Sequence, residues 1–580
     1  MVDTLDIESL IRPEAEAVGI ANNWREWSSA RRPKIDEWRE LRNYLFATDT
    51  KTTSNRKLPW SNSTTTPKLT QIRDNLHANY FAALFPQVKW FRWQADDQDS
   101  SSRTKRSIIQ NYVQTKVDQS GFIDTVSRLV LDWIDTGNVF AMVEHVADYV
   151  QHGDGDLITT YIGPKLRRIS PYDIVFNPLA EDFAKTPKII KELVTVGDLK
   201  KRIAQDPSNA WMEGAFTEME AVRGHVSEMD SEFDKSDGFI ADGFSSLTHY
   251  YESGYVELLH FFGDIYNRLT GELQLNRIIT VADRSRVLRN IPNPSWLGSG
   301  VIRHTSWRQR PDNLYGMGPL ENLVGLQYRI DHLENLKADV FDQIAYPTKK
   351  IRGDVQEFGE GLGERIYLGE EGDVTYLVPD STALNADFQI QDLSNKMEEL
   401  AGAPRNAMGI RTPGEKTAFE VQTLNTGASR IFSHKAGHFE RTFVELLLND
   451  MLEVGRRNLN ESEVIRGIDQ ATGVELFRTI TREDITARGK LRPMGARHFA
   501  ERALRLQNLQ TLIQIKATDP TVGVHLSGKL IAQLLAQELD EENLFGENIS
   551  LFEQMQAQQI AEELQINEEE RQQVAAEEGL

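Results

Sequence analysis

The chain has 580 residues, 40% of them apolar, and no cysteine. That length accommodates several domains or one multi-part subunit with a core of normal size, and the missing cysteines remove disulfides, thiolate zinc sites and cysteine nucleophiles together. The excess of 87 Asp and Glu over 65 Lys and Arg leaves a net charge of −22, so the global basic footprint of a protein that grips nucleic acid is absent; solubility alone accounts for the acidity, and so does a wall past which a polyanion slides without adhering.

Residues 1–10 carry acids in place of the basic-then-apolar pattern of an export signal, and no apolar run is long enough to cross a bilayer. Trp24, Trp27, Ile35, Trp38, Leu41 and Leu45 then recur at roughly helical spacing. A connector rich in Ser, Thr, Asn and Pro covers 52–67, centred on LPWSNSTTTPK, and a helix is predicted over 68–84, ending at Phe85-Pro86. Two more helices are predicted over 107–120 and 122–144, with Asp135-Thr136-Gly137 as a break in the second.

From 147 the texture is β-rich: ADYVQH, DLITTYI and RRISPYDIVFNP. Residues 198–203 read as a helical patch with Asp198 as its N-cap. The acidic stretch 213–245 reads as an exposed loop or insert. Strands are predicted over 255–262, 265–267 and 277–281, with a hairpin turn at 267–271. At Gly316-Met317-Gly318-Pro319 a long helix opens, since Pro suits a first helical turn. It runs to 345, about 27 residues or roughly 40 Å. Leu320, Leu323, Val324, Ile330, Leu333, Leu336, Val340, Phe341 and Ile344 form one apolar stripe, and Arg329, Asp331, Glu334, Lys337, Asp339 and Asp342 fall on the other faces. Such a rod needs lateral neighbours, for which copies of itself are candidates.

A β-type insert covers 349–379, followed by a helix over 387–401 and a Gly/Pro loop over 402–416. A second long helix is predicted over 417–458, with a kink at Gly427 or Gly437. A mixed piece at 462–485 contains a strand at 473–480, and helices return at 500–516 and 528–538. The Glu/Gln-rich tail, 549–578, reads either as a helix of a multi-chain coil or as a frayed end.

Three motifs resemble chemistry and fail on inspection. In Gly409-Ile-Arg-Thr-Pro-Gly414-Glu415-Lys416-Thr417, Glu415 intrudes where a phosphate loop requires Gly-Lys, and no strand precedes it. His434 and His438 stand at i and i+4, but Lys435 occupies the position of a metalloprotease glutamate and its charge opposes a metal. Gly359, Gly361 and Gly363, flanked by Glu360 and Glu364, read as a hairpin turn. Two basic sets, Lys349, Lys350 and Arg352, and Arg405, Arg411 and Lys416, suit either a phosphate backbone or surface ion pairs.

The order of elements resembles the portal proteins of tailed bacteriophages over nearly the whole chain. The phrases PWSNSTTTPKLTQIRDNL with AALFP, RISPYDIVFNP, VELLHFFGDI, DNLYGMGP with ENLVGLQYRIDHLENLKADV, and KTAFEV are similar to podovirus and siphovirus portals. The resemblance implies an α+β, mainly helical subunit of a dodecameric ring. It divides the chain into a wing (1–317), stem helix (318–346), clip (347–386), returning stem helix (387–401), tunnel loop (402–416), long wing helix with a mixed α/β piece (417–493), crown (494–548) and acidic tail (549–580). It implies a DNA channel at one capsid vertex of the virion, assembled in the host cytoplasm. Its partners would be double-stranded DNA, the terminase large subunit, a head-tail adaptor, and the major capsid and scaffold proteins. It further implies Arg405, Arg411 and Lys416 facing DNA, Lys349, Lys350 and Arg352 at the docking face, and no cofactor, metal or catalytic residue. The alternatives are an ATP-binding enzyme built on residues 409–417 and another capsid or tail component.

Overall fold

The computed structural model describes residues 4–8, 12–46, 62–86, 90–96, 100–152, 156–205, 211–212, 214, 216–218, 255–296, 300–353, 355–358, 366–377, 385–402, 431–459, 462–468, 475–495, 509, 511 and 513–514. The fold is mixed, with 47% helix and 33% strand and no closed barrel among the described residues. Two compact units divide the chain: Met1–Glu463 with Ile480–Gly495, and Val464–Thr479 with Ala496–Leu580.

In the first unit a short strand β1 (Thr4–Ile7) precedes helices α1 (Arg12–Ala30), α2 (Arg32–Phe46) and α3 (Lys68–Leu84). Strand β2 (Phe91–Ala95), which the sequence reading missed, leads to α4 (Ser100–Ser120) and α5 (Phe122–Asp135). The helix expected over 122–144 ends at Asp135. From there β3 (Asn138–His152) forms a long hairpin with β4 (Asp156–Ile169).

The break has a steric cause. Gly137 sits at φ +69°, and a Cβ there would lie 2.2 Å from the Gly318 nitrogen and 2.3 Å from the Met317 carbonyl carbon. Asn138 fastens the crossing: the Gly316 N–H donates to its Oδ1 at 2.7 Å, and its Nδ2 donates to the Gly316 carbonyl at 3.3 Å. The GMG sequence is therefore a site of backbone-to-backbone approach that only small residues permit.

Strands β5 (Ile174–Phe176), β6 (Lys188–Thr195), β7 (Tyr255–Asn267), β8 (Leu273–Ala282) and β9 (Arg286–Pro292) form one sheet in sequential order, with β1 paired parallel to β7. The strands predicted at 255–262 and 265–267 are one strand with a register shift between Gly263 and Ile265. Between β6 and β7 lies α6 (Val196–Gln205); Thr195 caps it, its Oγ1 accepting the Asp198 N–H at 3.1 Å, so Asp198 is a first-turn acid and not the cap.

This sheet is apolar on both faces, and the period of two assigns the faces. Val175, Ile189, Phe261 and Ile279 pack under Ile20 and Trp24 of α1. Their neighbours Ile174, Phe176, Ile190 and Phe262 pack with Ile35 and Trp38 of α2 and Phe140 of β3. Full burial of Trp24 and Trp38 contributes on the order of 2–3 kcal/mol each.

Strand β10 (Ile302–Ser306) joins β3, and β11 (Arg308–Arg310) pairs with β12 (Asn313–Met317). A 3₁₀ turn, Glu321–Leu323, then opens α7 (Val324–Ala345). The long helix thus begins after the Gly-Pro pair and is 22 residues, about 33 Å, shorter than the sequence reading. Glu321 anchors its start, accepting from the Gly318 N–H at 3.1 Å and from Lys34 at 2.6 Å.

Strands β13 (Thr348–Arg352), β14 (Val355–Phe358), β15 (Ile366–Leu368) and β16 (Asp373–Leu377) nest as two pairings, β13 with β16 and β14 with β15. Helix α8 (Asp387–Leu400) follows. Helix α9 comprises 431–439, a π turn at Glu440–Val444 and the α-helical Glu445–Asn458. Its departure from α geometry thus starts just past Gly437; Gly427 lies outside the described residues. Strands β17 (Glu463–Ile468) and β18 (Glu475–Ile480) pair, and β19 (Gly489–Pro493) returns to pair with β2. The predicted insert at 213–245, the helices at 500–516 and 528–538, and the tail lie almost wholly outside the described residues.

Candidate functional site

Helix α7, its β tip and α8 form the segment on which the sequence places most of its function. α8 runs back along α7. Lys337 Nζ meets Asp387, the first residue of α8, at 2.7 Å. Toward the other end, Gln327 and Glu398 both reach the Lys68–Leu69 corner.

One face of α7 binds an extended strap, residues 62–66. Gln327, Asp331, Asn335 and Asp339 stand four residues apart, and each reads a strap residue. The Asn62 N–H and Nδ2 donate to Asp339 Oδ1 at 3.0 and 2.7 Å. The Thr64 N–H donates to Asn335 Oδ1 at 2.8 Å, and Asn335 Nδ2 donates to the Thr64 carbonyl at 2.7 Å. Thr65 Oγ1 and the Thr66 N–H donate to the two Asp331 oxygens at 2.9 and 3.0 Å. Gln327 Nε2 donates to the Thr66 carbonyl at 2.5 Å, and its Oε1 accepts the Leu69 N–H at 3.2 Å.

The match is geometric. Four helical residues rise about 6 Å and two extended residues about 6.6 Å, so Asn62, Thr64 and Thr66 fall in step with Asp339, Asn335 and Asp331, and Gln327 closes the ladder where the strap turns into α3. Asp331, which the sequence places off the apolar stripe, is fully buried. Burial raises its carboxyl above the usual range, and hydrogen bonds from Thr66, Thr65 and Gln327 oppose that rise. The sequence signal was available: four polar side chains at a spacing of four, and a donor-rich SNSTTT segment to meet them.

The distal half of α7, the β tip and α8 are different. Phe341 is 63% exposed, Tyr346 80% and Phe388 83%, and Ile351, Tyr376 and Leu377 are about half exposed. Lys350 and Arg352 lie on one face of β13, opposite Thr375 and Asp373. Lys349 lies on the other face, opposite Tyr376. The structure therefore splits this basic set between two faces. Arg405, Arg411 and Lys416, together with the whole 409–417 motif and Gly359–363, lie outside the described residues.

His438 Nε2 lies 3.3 Å from Thr305 Oγ1 and 3.5 Å from Gln309 Nε2. Burial and the charges of Lys435, Arg441 and His434 hold its imidazole below the usual range. Among the described residues no group of three or more His, Asp or Glu is arranged to hold a metal. Nor is any described helix long and apolar enough to cross a membrane. No protein-family model matches the chain, and no curated protein matches it significantly in sequence.

Proposed function

We propose that this chain is a portal-type subunit, one of a ring of copies through which double-stranded DNA passes at a capsid vertex of a tailed bacteriophage. The reading assigns α7 to the stem, β13–β16 to the clip and α8 to the returning stem helix. It makes the protein a passive channel and docking platform in the virion, with ATP hydrolysis-driven transport of DNA left to a terminase, and with head-tail adaptor, coat and scaffold proteins as further partners. The supporting observation is that the large aromatic side chains of Phe341, Tyr346, Tyr376 and Phe388, on α7, the β insert and α8, are exposed in the single chain. One chain leaves that surface in water, and lateral neighbours on a ring would cover it.

Negative-stain imaging of the purified protein tests the reading. Rings with a central hole are expected; monomers or open filaments would refute it. Within the same reading, Arg411→Glu and Lys416→Glu leave ring assembly intact and alter packaging or retention of DNA. ATP turnover lost on Lys416→Ala would favour the enzyme alternative instead.

A further inference from the structure

A chain with a net charge of −22 gathers three cationic side chains, Arg308, Lys435 and Arg441, and two histidines, His434 and His438, where the segment around β11 meets the start of α9. Arg308, His434 and Arg441 are exposed, and Lys435 and His438 are half-buried. The two elements are fastened together. Lys435 Nζ donates to the Trp307 carbonyl and sits 4.5 Å from the centre of the Trp307 ring, and the Arg308 guanidinium lies 5.4 Å from the same ring centre. His438 reaches Thr305 and Gln309, and Thr442 lies 2.8 Å from Thr305.

The positive charges act on one another. Burial first, and then the Arg308 charge, hold the Lys435 amine below its usual range. Lys435, Arg441 and His434 all depress His438. Among the described residues no carboxylate forms a salt bridge with any of the five; Glu440, next in sequence to Arg441, accepts the Gly495 N–H at 2.7 Å. Elsewhere in this molecule Arg303 is matched by Asp450 at 2.6 Å and Arg73 by Asp135 at 2.7 Å, while Arg31 and Lys188 are buried singly against backbone carbonyls; the Lys435 surface differs from both in gathering several basic groups at one place. Like charges held together without counter-charge oppose folding and are relieved by an external anion.

We propose that the surface formed by Arg308, His434, Lys435, His438 and Arg441 binds the phosphate backbone of duplex DNA. The choice of DNA rests on the portal reading; the choice of a polyanion rests on the cluster. Guanidinium, ammonium, hydroxyl and amide groups are the phosphate-contacting set, and they position a duplex without reading its sequence. The apolar element beneath them, Trp307, is 4% exposed and offers no groove for the side chains of an acidic peptide.

The test uses the full-length protein and a fluorescent 20-base-pair duplex of arbitrary sequence, with affinity measured by anisotropy across a salt series. The variant is Arg308→Glu with Arg441→Glu. Both side chains are exposed, and Lys435 and His438, which fasten the two elements, are kept. The expected result is a fall in affinity of about tenfold or more and a loss of about 2 from the log–log salt slope, at about 0.9 per phosphate contact. Unchanged affinity and slope would overturn the proposal, as would a wild-type protein that does not bind the duplex. If the variant loses binding to poly-glutamate and keeps binding to DNA, the surface belongs to an acidic protein segment and the proposal fails. Ring formation is scored separately by negative stain: DNA binding at this surface without rings refutes the portal reading alone.

Discussion

Asn335 holds Thr64 as a neighbouring β-strand would: its Oδ1 accepts the Thr64 N–H at 2.8 Å while its Nδ2 donates to the Thr64 carbonyl at 2.7 Å. Asn335 is fully buried. Asn335→Ala strands both strap groups away from a partner, and a buried unsatisfied group costs about 1–3 kcal/mol. The expected loss of stability by denaturant unfolding is about 2–4 kcal/mol, with faster hydrogen exchange at the Thr64 and Thr66 amides. Asn335→Asp is expected to be worse, because it sets an acceptor against the Thr64 carbonyl and adds a buried charge. Unchanged exchange at Thr64 in both variants would show that the strap is held by other means.

This ladder marks the limit of what the sequence made legible. Helix α3 was predicted with its observed bounds, since Phe85-Pro86 punctuates a clear apolar period. The order of long helix, β insert and return helix was legible for the same reason. What failed depended on tertiary partners. Asn138–Glu144 carries an apolar pattern that fits a helix over a short window, and only the Gly137 crossing and pairing with β4 and β10 make it a strand. The burial of Asp331, off the apolar stripe, was not legible because its strap partners lie more than 260 residues away in sequence. Of the candidate site, Lys349, Lys350 and Arg352 were placed on the β tip correctly, but a run of adjacent residues in a strand cannot share a face, which divides them. The cluster around Lys435 joins residues from two distant segments, and proximity in sequence reveals only its helical half.

Gly137 and Gly121 separate backbone freedom from packing. Both have positive φ, +69° and +67°, but a Cβ at Gly121 meets nothing within 4 Å, whereas at Gly137 it meets the Gly318 and Met317 backbone. Gly121→Ala is expected to cost about 1–2 kcal/mol from the left-handed conformation alone. Gly137→Ala adds a backbone collision and is expected to cost at least a further 2 kcal/mol, measured by thermal or denaturant unfolding of the two variants side by side. Equal costs would mean that the β12 backbone yields without penalty.

His304 and Lys188 give the stability a defined pH dependence. His304 is stacked on Phe140 at 4.6 Å, and burial first, then the Lys188 charge, lowers its imidazole to about 3. Between about 3 and 6.5 the unfolded chain holds a proton there that the folded chain does not, so stability is lost as pH falls through that window. Lys188 is lowered to about 7 by burial and by Arg303, against the opposing Asp182, and its contribution is lost as pH falls from 10.5 toward 7. Each window spans on the order of 5 kcal/mol at most. His304→Phe, which keeps the aromatic stacking, is expected to flatten the acid limb, and Lys188→Met the alkaline one, in unfolding free energies measured from pH 4 to 10. An unchanged acid limb in His304→Phe would assign the acid sensitivity to other groups.

Phe341 and Phe388 discriminate between a surface that belongs to the single chain and one that belongs to an assembly. Each is more than 60% exposed, so neither supports the fold of one subunit. Substitution by Asp at an exposed helix position of a monomer changes stability by only about 0.5 kcal/mol. At the centre of a subunit interface, the same change replaces buried aromatic area with a desolvated carboxylate and costs several kcal/mol per contact. Phe341→Asp and Phe388→Asp are therefore expected to leave the circular dichroism spectrum unchanged while shifting the protein from rings to monomers, read by light scattering coupled to size exclusion. If both variants assemble as the parent does, the apolar surface of the α7 tip and α8 is not the seam between copies, and the ring reading loses the observation that carries it.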